Sequence, residues 1–242
     1  MSDWQDVMLP PGWRLVVLEE TGSTNDEVRL RCQDEAGLVV LAEKQTAGRG
    51  RRGAAWLSIE GESLTFSVLL RPSEPKAIWP RLSLAAGMAV ADALGRYGIE
   101  AEIKWPNDLL IGGKKISGIL VEAGADYVVV GIGLNLGTLQ FPEGLEATSM
   151  AMESGRSVQG AEVLSFILTA LDGWSREIGG GFPDLLKRVR ERCALSGRQV
   201  RLISGNRVVE GQVVQIGNSG ELIVNTPDGP KSFLQAHEVR PI

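Results

Sequence analysis

The segment GRGRRG at residues 48–53 constrains the fold most strongly, because it has the glycine spacing of a dinucleotide-binding loop in the wrong setting. In a dinucleotide-binding fold this spacing follows a strand and opens a helix, whose N-terminus faces the pyrophosphate. Here residues 37–45 and 63–71 are both predicted strands, and no helix begins between them. Neither a Walker A sequence nor a kinase catalytic motif accompanies the loop. These nucleotide-binding folds are therefore excluded.

Hydrophobic periodicity predicts alternating strands and helices around this loop. Further strands are predicted at 14–20, 99–106, 108–123 and 126–136, the third being a hairpin that turns at Gly112 and Gly113. Helices are predicted at 24–35, 79–98, 161–178 and 182–195. From about residue 196 the pattern changes to four or five short strands separated by SGN, GNSG and PDGP turns, which predicts a small barrel or curled sheet. We therefore expect two domains, 1–194 and 195–242.

The charge balance argues against a nucleic-acid polymer as the partner. Lys and Arg number 25 and Asp and Glu number 30, which gives a net charge of −5. A protein that binds DNA or RNA broadly needs a basic footprint. The window 44–52 nevertheless holds Lys44, Arg49, Arg51 and Arg52 without an acid. This local cluster on an acidic chain favours a small anionic ligand.

Cysteine and histidine usage predicts no metal centre and no disulfide. Cys32 and Cys193 are far apart in the sequence and match neither a metal-binding motif nor a disulfide framework. The single histidine, His237, is expected to be a surface residue. The N-terminus lacks the basic and apolar regions of a signal peptide, and no apolar run approaches the roughly 18 residues needed to span a membrane. We expect a cytoplasmic protein without a membrane segment.

The loop itself offers chemistry suited to anions. Arg49, Arg51 and Arg52 carry planar donor groups that match carboxylate and phosphate, and the flanking glycines let the loop move over a ligand. Trp56 follows as a candidate stacking surface. Taken alone, a solvated basic loop explains these residues equally well.

Four further segments place polar residues at turns or strand ends: GSTN (22–25), KWPND (104–108), GGKKISGILVEA (112–123) and GIGLNL (131–136). Taken singly, each fits an ordinary role as a helix N-cap, a turn, a hairpin strand or a strand end. Two-residue alternation predicts that one face of the hairpin strand carries Lys115, Ser117 and Ile119, and the other Lys114, Ile116 and Gly118.

Taken in order, these segments resemble the sequence blocks of one family. GSTN, EKQTAGRGRRG, KWPNDLLIGGKKISGILVE, GIGLN and ATSM (147–150) are similar to those of the biotin–protein ligases, and the resemblance covers nearly the whole chain. That family makes biotinyl-AMP from biotin and ATP and passes biotin to a lysine of a biotin carboxyl carrier protein domain. The resemblance implies an α+β fold like that of class II aminoacyl-tRNA synthetases, with a mixed or antiparallel central sheet, flanking helices and a C-terminal SH3-like β-barrel.

The resemblance also implies roles for individual residues. Lys115 and Arg51 are the expected catalytic residues, with Lys115 between the biotin carboxyl and the phosphate. The implied biotin-binding residues are Ser23, Thr24, Asn25, Gln45, Gly48, Arg49, Arg51, Lys115 and Gly118. The implied ATP-binding and adenylate-binding residues are Arg49, Arg51, Arg52, Trp56, Asn107, Lys115 and Asn135. Mg²⁺ is expected to accompany ATP, held by phosphate and water rather than by a protein cage.

Two features depart from the commonest pattern of the family. Only about thirteen residues precede the first predicted strand, so we expect neither the helix-turn-helix of the repressor-type members nor DNA binding. Lys44 stands where an aromatic residue is frequent, which leaves its contact open. The family also allows a homodimer formed through a sheet edge.

Two alternatives have different discriminating features. A lipoate–protein ligase or octanoyl transferase has a related fold and a strand lysine, but the paired arginines of GRGRR favour biotin. A role for the C-terminal barrel in RNA binding is disfavoured by its single aromatic residue, Phe233, and its mixed charge.

Overall fold

A computed structural model describes residues 4–242, and a seven-stranded sheet forms its centre. Its strands are β1 (Arg14–Thr21), β2 (Leu38–Gln45), β3 (Ser63–Leu70), β4 (Glu102–Lys104), β5 (Asp108–Ile111), β6 (Lys114–Ala123) and β7 (Val128–Asn135). They lie in the order β1-β2-β3-β7-β6-β5-β4. Only β1 and β2 are parallel, and the other neighbours are antiparallel. The expected mixed, largely antiparallel sheet is confirmed.

Five helices accompany the sheet in the described part of the chain: α1 (Thr24–Leu30), α2 (Leu82–Gly95), α3 (Met150–Ser154), α4 (Gly160–Arg176) and α5 (Phe182–Glu191). Alternate residues of β2 serve the two faces of the sheet. Val39 and Leu41 belong to the large core with α2, α4 and α5, whereas Leu38 and Val40 pack with Val28 of α1. The central strands are therefore covered on both faces, which explains why they read as unbroken apolar runs.

Three predicted helices were too long, each for a local reason. The helix predicted at 24–35 ends at Leu30, whose side chain is exposed and gives no further packing. The helix predicted at 79–98 begins only at Leu82, because Pro80 lies in a preceding 3₁₀ turn. The helix predicted to reach residue 195 ends at Glu191, since the next residues run beside β4. There the Ile103 amide donates to the Arg192 carbonyl at 2.7 Å.

A second, five-stranded antiparallel sheet forms the C-terminal part. Its strands are β8 (Gln199–Ser204), β9 (Arg207–Ile216), β10 (Leu222–Thr226), β11 (Gly229–Phe233) and β12 (Glu238–Pro241), in the order β11-β10-β9-β8-β12. This arrangement agrees with the expected SH3-like barrel. One apolar core runs through both parts of the chain, including Val200 and Leu202 with the helices. The domain division after residue 194 stays a prediction.

Hydrogen bonds fix the C-terminal sheet against the main body. The indole of Trp105, 2% exposed, donates from Nε1 to the Gly220 carbonyl at 2.9 Å. Arg190 of α5 donates from Nε to the Ile216 carbonyl at 2.7 Å. These bonds join the turns of the C-terminal sheet to elements on either side of the core, so the two parts have one fixed orientation.

Cys32 and Cys193 are free thiols, each partly buried. Across residues 4–242, no cluster of three or more His, Cys, Asp or Glu side chains could hold a metal ion. Over the same residues, every helix is too short or too polar to cross a membrane.

Trp105→Phe tests the junction between the two parts. The change removes the donor to Gly220 and leaves that carbonyl without its partner, so we expect a loss of about 1–3 kcal/mol in the free energy of unfolding. Denaturant titration measures this quantity. Trp13→Phe is the matched control, because Trp13 also packs against the core but its indole makes no hydrogen bond within the described chain. Equal losses in the two variants would contradict the junction's role.

Candidate active site

A cavity of about 200 Å³ opens on the α1 side of the sheet and brings most of the expected site residues together. Its walls come from the start of α1, the end of β2, the loop after β2, and strands β6 and β7. The expected residues that line it are Ser23, Thr24, Asn25, Gln45, Arg49, Arg51, Trp56, Asn107, Lys115 and Gly118. The remaining three, Gly48, Arg52 and Asn135, lie outside the lining.

Buried polar side chains hold one end of the cavity rigid. Gln45 Oε1 accepts from the Thr24 amide at 2.7 Å and from Thr24 Oγ1 at 3.1 Å. The Thr24 hydroxyl also bonds Ser67 Oγ at 2.7 Å, and Ser67 donates to Asn25 Oδ1 at 2.6 Å. Asn25 Nδ2 in turn donates to Glu122 at 2.7 Å. Because buried polar groups are costly without partners, this chain of bonds fixes each side chain and presents amide and hydroxyl groups to a ligand.

Glycines form the floor of the cavity. A Cβ atom at Gly131 would lie 2.1 Å from Asn25 Oδ1, and one at Gly133 would lie 2.3 Å from the Trp56 ring. Each distance is far below van der Waals contact, so no larger residue fits without displacing the opposite wall. The indole of Trp56 therefore lies directly on the backbone of β7. Its buried Nε1 has no hydrogen-bond partner among the described atoms.

Lys115 lies on the same face as Gly118, which corrects the predicted alternation. A β-bulge shifts the register of β5 and β6, so that Asp108 pairs with Gly118 while Leu110 already pairs with Lys115. The extra residue of a bulge reverses the face of the residues beyond it. The Lys115 ammonium consequently lies over Gly118 and 5.8 Å from the Trp56 ring centroid. It is ion-paired with Asp108 Oδ1 at 2.7 Å.

Arg51 is a half-buried cation without a carboxylate. Its Nη1 donates only a long bond of 3.4 Å to Asn107 Oδ1, and no ion pair involves it among residues 4–242. Burial lowers the pKa of its guanidinium, and the nearby Arg52 charge adds to this, partly opposed by Asp108. Asn107 is itself held, because its Nδ2 donates to the Ile119 carbonyl at 3.1 Å. An unpaired cation facing a cavity is a binding site for an anion.

Arg49 is held by helix α1 instead. Its two terminal nitrogens bond the two carboxylate oxygens of Asp26 at 2.6 and 2.7 Å. This bidentate contact lowers the pKa of the Asp26 carboxyl and raises that of the Arg49 guanidinium, in each case chiefly through the hydrogen bonds between them. The pair fastens the arginine loop to the start of α1.

Comparison with known proteins places this site in a family. Residues 17–136 match the model of the biotin/lipoate A/B protein ligase family, and residues 195–238 match the biotin protein ligase C-terminal domain. A bifunctional ligase/repressor of Bacillus spizizenii is 36% identical over 91% of this chain and 71% of its own length. The biotin–[acetyl-CoA-carboxylase] ligase of Paracoccus denitrificans is 33% identical over 92% of this chain and 98% of its own. The chain belongs to the biotin–protein ligase family.

A solved structure agrees with that assignment. The biotin protein ligase of Aquifex aeolicus in complex with biotin and ATP has a TM-score of 0.86, with 30% sequence identity over 95% of this chain and 99% of its own. The expected fold class is thereby confirmed over both parts of the chain.

Three expected site residues of this biotin–protein ligase family member have positions outside the cavity. Gly48 lies behind the loop, where a Cβ atom would be 2.8 Å from the Trp56 carbonyl oxygen. Arg52 is exposed at the loop tip and has a left-handed backbone, with φ 58°. Asn135 is buried beneath the site, and its Nδ2 bonds the carbonyls of Lys115 at 3.4 Å and Thr148 at 2.9 Å. Asn135 therefore anchors the backbone of Lys115.

Several residues at the site escaped the sequence-based expectations. Ser67 was hidden inside a strand, although a serine in the buried run SLTFSVLL is itself a sign of a polar partner. Asp26, in the first turn of α1, is not among the expected site residues. His237, expected simply at the surface, is exposed and lines the cavity mouth. Lys44, whose contact was left open, is paired with Glu20.

Asp26→Asn should loosen the arginine loop. Exposed ion pairs contribute about 0.2–1 kcal/mol, and this one is bidentate, so we expect tryptic cleavage after Arg49, Arg51 and Arg52 to become about two- to five-fold faster. Asp34→Asn, which breaks the remote pair with Arg14, is the matched control and should leave these cleavages unchanged.

The same pair has a defined pH dependence. Because the pKa of Asp26 is lowered in the folded protein, its contribution is complete above the ordinary aspartate pKa of about 4 and is lost as the pH falls through the lowered value. The ratio of cleavage rates between wild type and Asp26→Asn should therefore be constant from pH 6 to 9. A ratio that changes across this range would contradict the assigned pair.

Proposed function

We propose that this chain joins biotin and ATP to form biotinyl-5′-AMP and pyrophosphate, and then transfers biotin to a lysine of a biotin carboxyl carrier protein domain. The observation that carries the proposal is the pairing, within one cavity, of a rigid amide and hydroxyl cluster with the cations Lys115 and Arg51. A ligand that is neutral and polar at one end and anionic at the other fits both ends of this cavity. The names of the relatives support biotin over lipoate.

Biotin recognition follows from the polar end. The ureido ring has two N–H donors and one carbonyl acceptor, which match the side chains of Ser23, Thr24, Asn25 and Gln45. Gly118 lets the ligand approach the strand backbone, and Trp56 covers it as an apolar wall. The valeryl carboxylate then extends towards Lys115.

Activation follows from the charged end. A carboxylate oxygen of biotin attacks the α-phosphorus of ATP, the bond from that phosphorus to the bridging oxygen breaks, and pyrophosphate leaves with the electron pair. Two anions must meet, so fixed cations stabilise the transition state most effectively. Lys115 supplies charge between the carboxylate and the phosphate, and Arg51 supplies charge from the loop. Asn107 positions Arg51 through their contact.

Four further residues support substrate binding in this proposal. Arg49 contributes to substrate binding by keeping the loop on α1 or, when it leaves Asp26, by contacting phosphate directly. Arg52 extends the positive charge of the loop tip towards the triphosphate. Gly48 allows the tight loop, and Asn135 holds Lys115 from below. The closed loop would exclude water from the hydrolysable adenylate.

Mg²⁺ enters with ATP in this proposal. Asp108 is the single carboxylate that lines the cavity, and Mg²⁺ is ordinarily bound by one or two carboxylates together with phosphates and water. The residues therefore fit a metal carried by the nucleotide, which would neutralise phosphate charge when bound. Asp108 would share its charge between that ion and Lys115.

The proposal extends to the cellular location, the macromolecular partner and the oligomeric state. The reaction consumes ATP and modifies a metabolic enzyme, which is consistent with a cytoplasmic location. The net charge of −5 is consistent with a protein partner rather than DNA. If the chain forms a homodimer through a sheet edge, the available edge is β1, because residues 192–194 cover β4.

Pyrophosphate release from Mg-ATP is the direct test. Biotin, lipoate and octanoate are offered separately, without a carrier protein. We expect a burst of pyrophosphate with biotin alone. Pyrophosphate release with lipoate or octanoate instead would indicate the activity of a lipoate–protein ligase or octanoyl transferase. No release with any of the three acids would refute the activation step.

Lys115→Ala should greatly slow adenylate formation while leaving the fold intact. Removal of a charge that stabilises the transition state lowers the rate by about 100- to 1,000-fold. The rate of biotinyl-AMP formation in a single turnover measures the effect. Lys114→Ala is the matched control, because its exposed side chain lies on the opposite face of β6. Near-normal adenylate formation in a folded Lys115→Ala variant would refute the role.

A further inference from the structure

His237 lies in the loop between β11 and β12 and is the one residue of the C-terminal part, 195–242, that lines the cavity. It is also the single histidine among the 242 residues. The imidazole is exposed, but its backbone is fixed: the His237 amide donates to the Ile203 carbonyl at 2.6 Å, and the neighbouring Ala236 is 1% exposed. The position is therefore set by the sheet, while the side chain is free to meet a ligand.

The orientation of the C-terminal sheet fixes His237 relative to the cavity. The bonds from Trp105 to Gly220 and from Arg190 to Ile216 hold the sheet to the main body. The cavity mouth is thus built by two parts of the chain that are far apart in sequence. Nothing in the activation step, which uses Lys115 and Arg51, requires a group from the C-terminal sheet.

The other ionisable groups of the cavity are unsuited to accept a proton at neutral pH. Arg49, Arg51 and Lys115 are cations, and Asp108 is ion-paired with Lys115. Next to His237 in the chain, Glu238 is paired with Arg240. Histidine alone among these side-chain types ordinarily titrates between pH 5 and 8.

The transfer step needs such a group. The acceptor lysine has an ordinary pKa of about 10.4, so roughly one molecule in a thousand carries a neutral amine at pH 7.5. When the neutral amine attacks, its nitrogen becomes positively charged and has to lose a further proton. A base at the mouth can accept that proton, and general base catalysis contributes about 100- to 10,000-fold.

We propose that His237 is a catalytic residue of the transfer step and accepts the proton that the lysine nitrogen loses as the C–N bond forms; this inference rests on the proposed function. The lysine ammonium first gives up one proton to solvent. The neutral amine then attacks the carbonyl carbon of biotinyl-AMP and forms the C–N bond. The bond from that carbon to the phosphate oxygen breaks, and AMP leaves with the electron pair. His237 accepts the second proton from the nitrogen and passes it to solvent, which leaves a neutral amide.

His237→Gln tests the proposal through the two half-reactions. Pyrophosphate release from Mg-ATP and biotin should match wild type. Single-turnover transfer from the bound adenylate to a purified biotin carboxyl carrier domain should be about 100-fold slower at pH 7. The pH profile of transfer should also lose the inflection that a histidine base ordinarily gives between pH 5 and 8. Gln235→Ala, a change on the same loop, should behave as wild type.

A second nucleophile separates chemistry from structure. Hydroxylamine is uncharged at neutral pH and needs no base, so His237→Gln should release biotin hydroxamate at the wild-type rate. Added imidazole should restore transfer to lysine in His237→Ala. The proposal is overturned if His237→Gln transfers normally, if hydroxylamine capture slows equally, or if the inflection disappears with Asp108→Asn instead. Absence of pyrophosphate release in the wild type would refute the proposed function itself.

Discussion

The site exists because side chains are missing from the middle of a buried sheet. Protein interiors are packed to the density of organic crystals, so a cavity beside fully buried strands requires that atoms be left out. Gly131 and Gly133 do this on β7, and Gly118 does it on β6. Asn25 and Trp56 then approach the backbone of β7 on one face of the sheet. The polar and charged groups of the site are arranged around these glycines. A methyl group at Gly131 or Gly133 would collide with Asn25 or Trp56.

Charge in the cavity is divided between a paired and an unpaired cation. Lys115 is ion-paired with Asp108, whereas Arg51 is half-buried, has no ion pair among the described residues and donates a long hydrogen bond to Asn107. Leaving a cation without a carboxylate costs free energy in the empty protein, and that cost is offset when an anion binds. The Arg49–Asp26 pair reduces the number of free cations and holds the loop close. The site is thus ready for an anion without concentrating three unpaired charges.

Periodicity predicted most of the strands and helices, and the resemblance of local motifs implied the fold class and a set of site residues, most of which line one cavity. The sequence-based predictions failed where the outcome depends on contacts between distant segments. The face of Lys115 is set by a bulge that only the pairing of β5 and β6 defines. The end of α5 is set by a strand some ninety positions earlier, through the Ile103–Arg192 bond. Asp26 and His237 carry no motif, and their positions follow from how the loop meets α1 and how the C-terminal sheet meets the body.

The continuous core determines how this protein unfolds. Because Val200, Leu202 and the helices share one set of apolar contacts, unfolding of the C-terminal sheet would expose the main body to water. The chain should therefore melt in one cooperative transition. In a cell, each molecule would then be either folded and active or unfolded and open to proteolysis. No long-lived, partly folded population would form the reactive adenylate without transferring biotin to the acceptor.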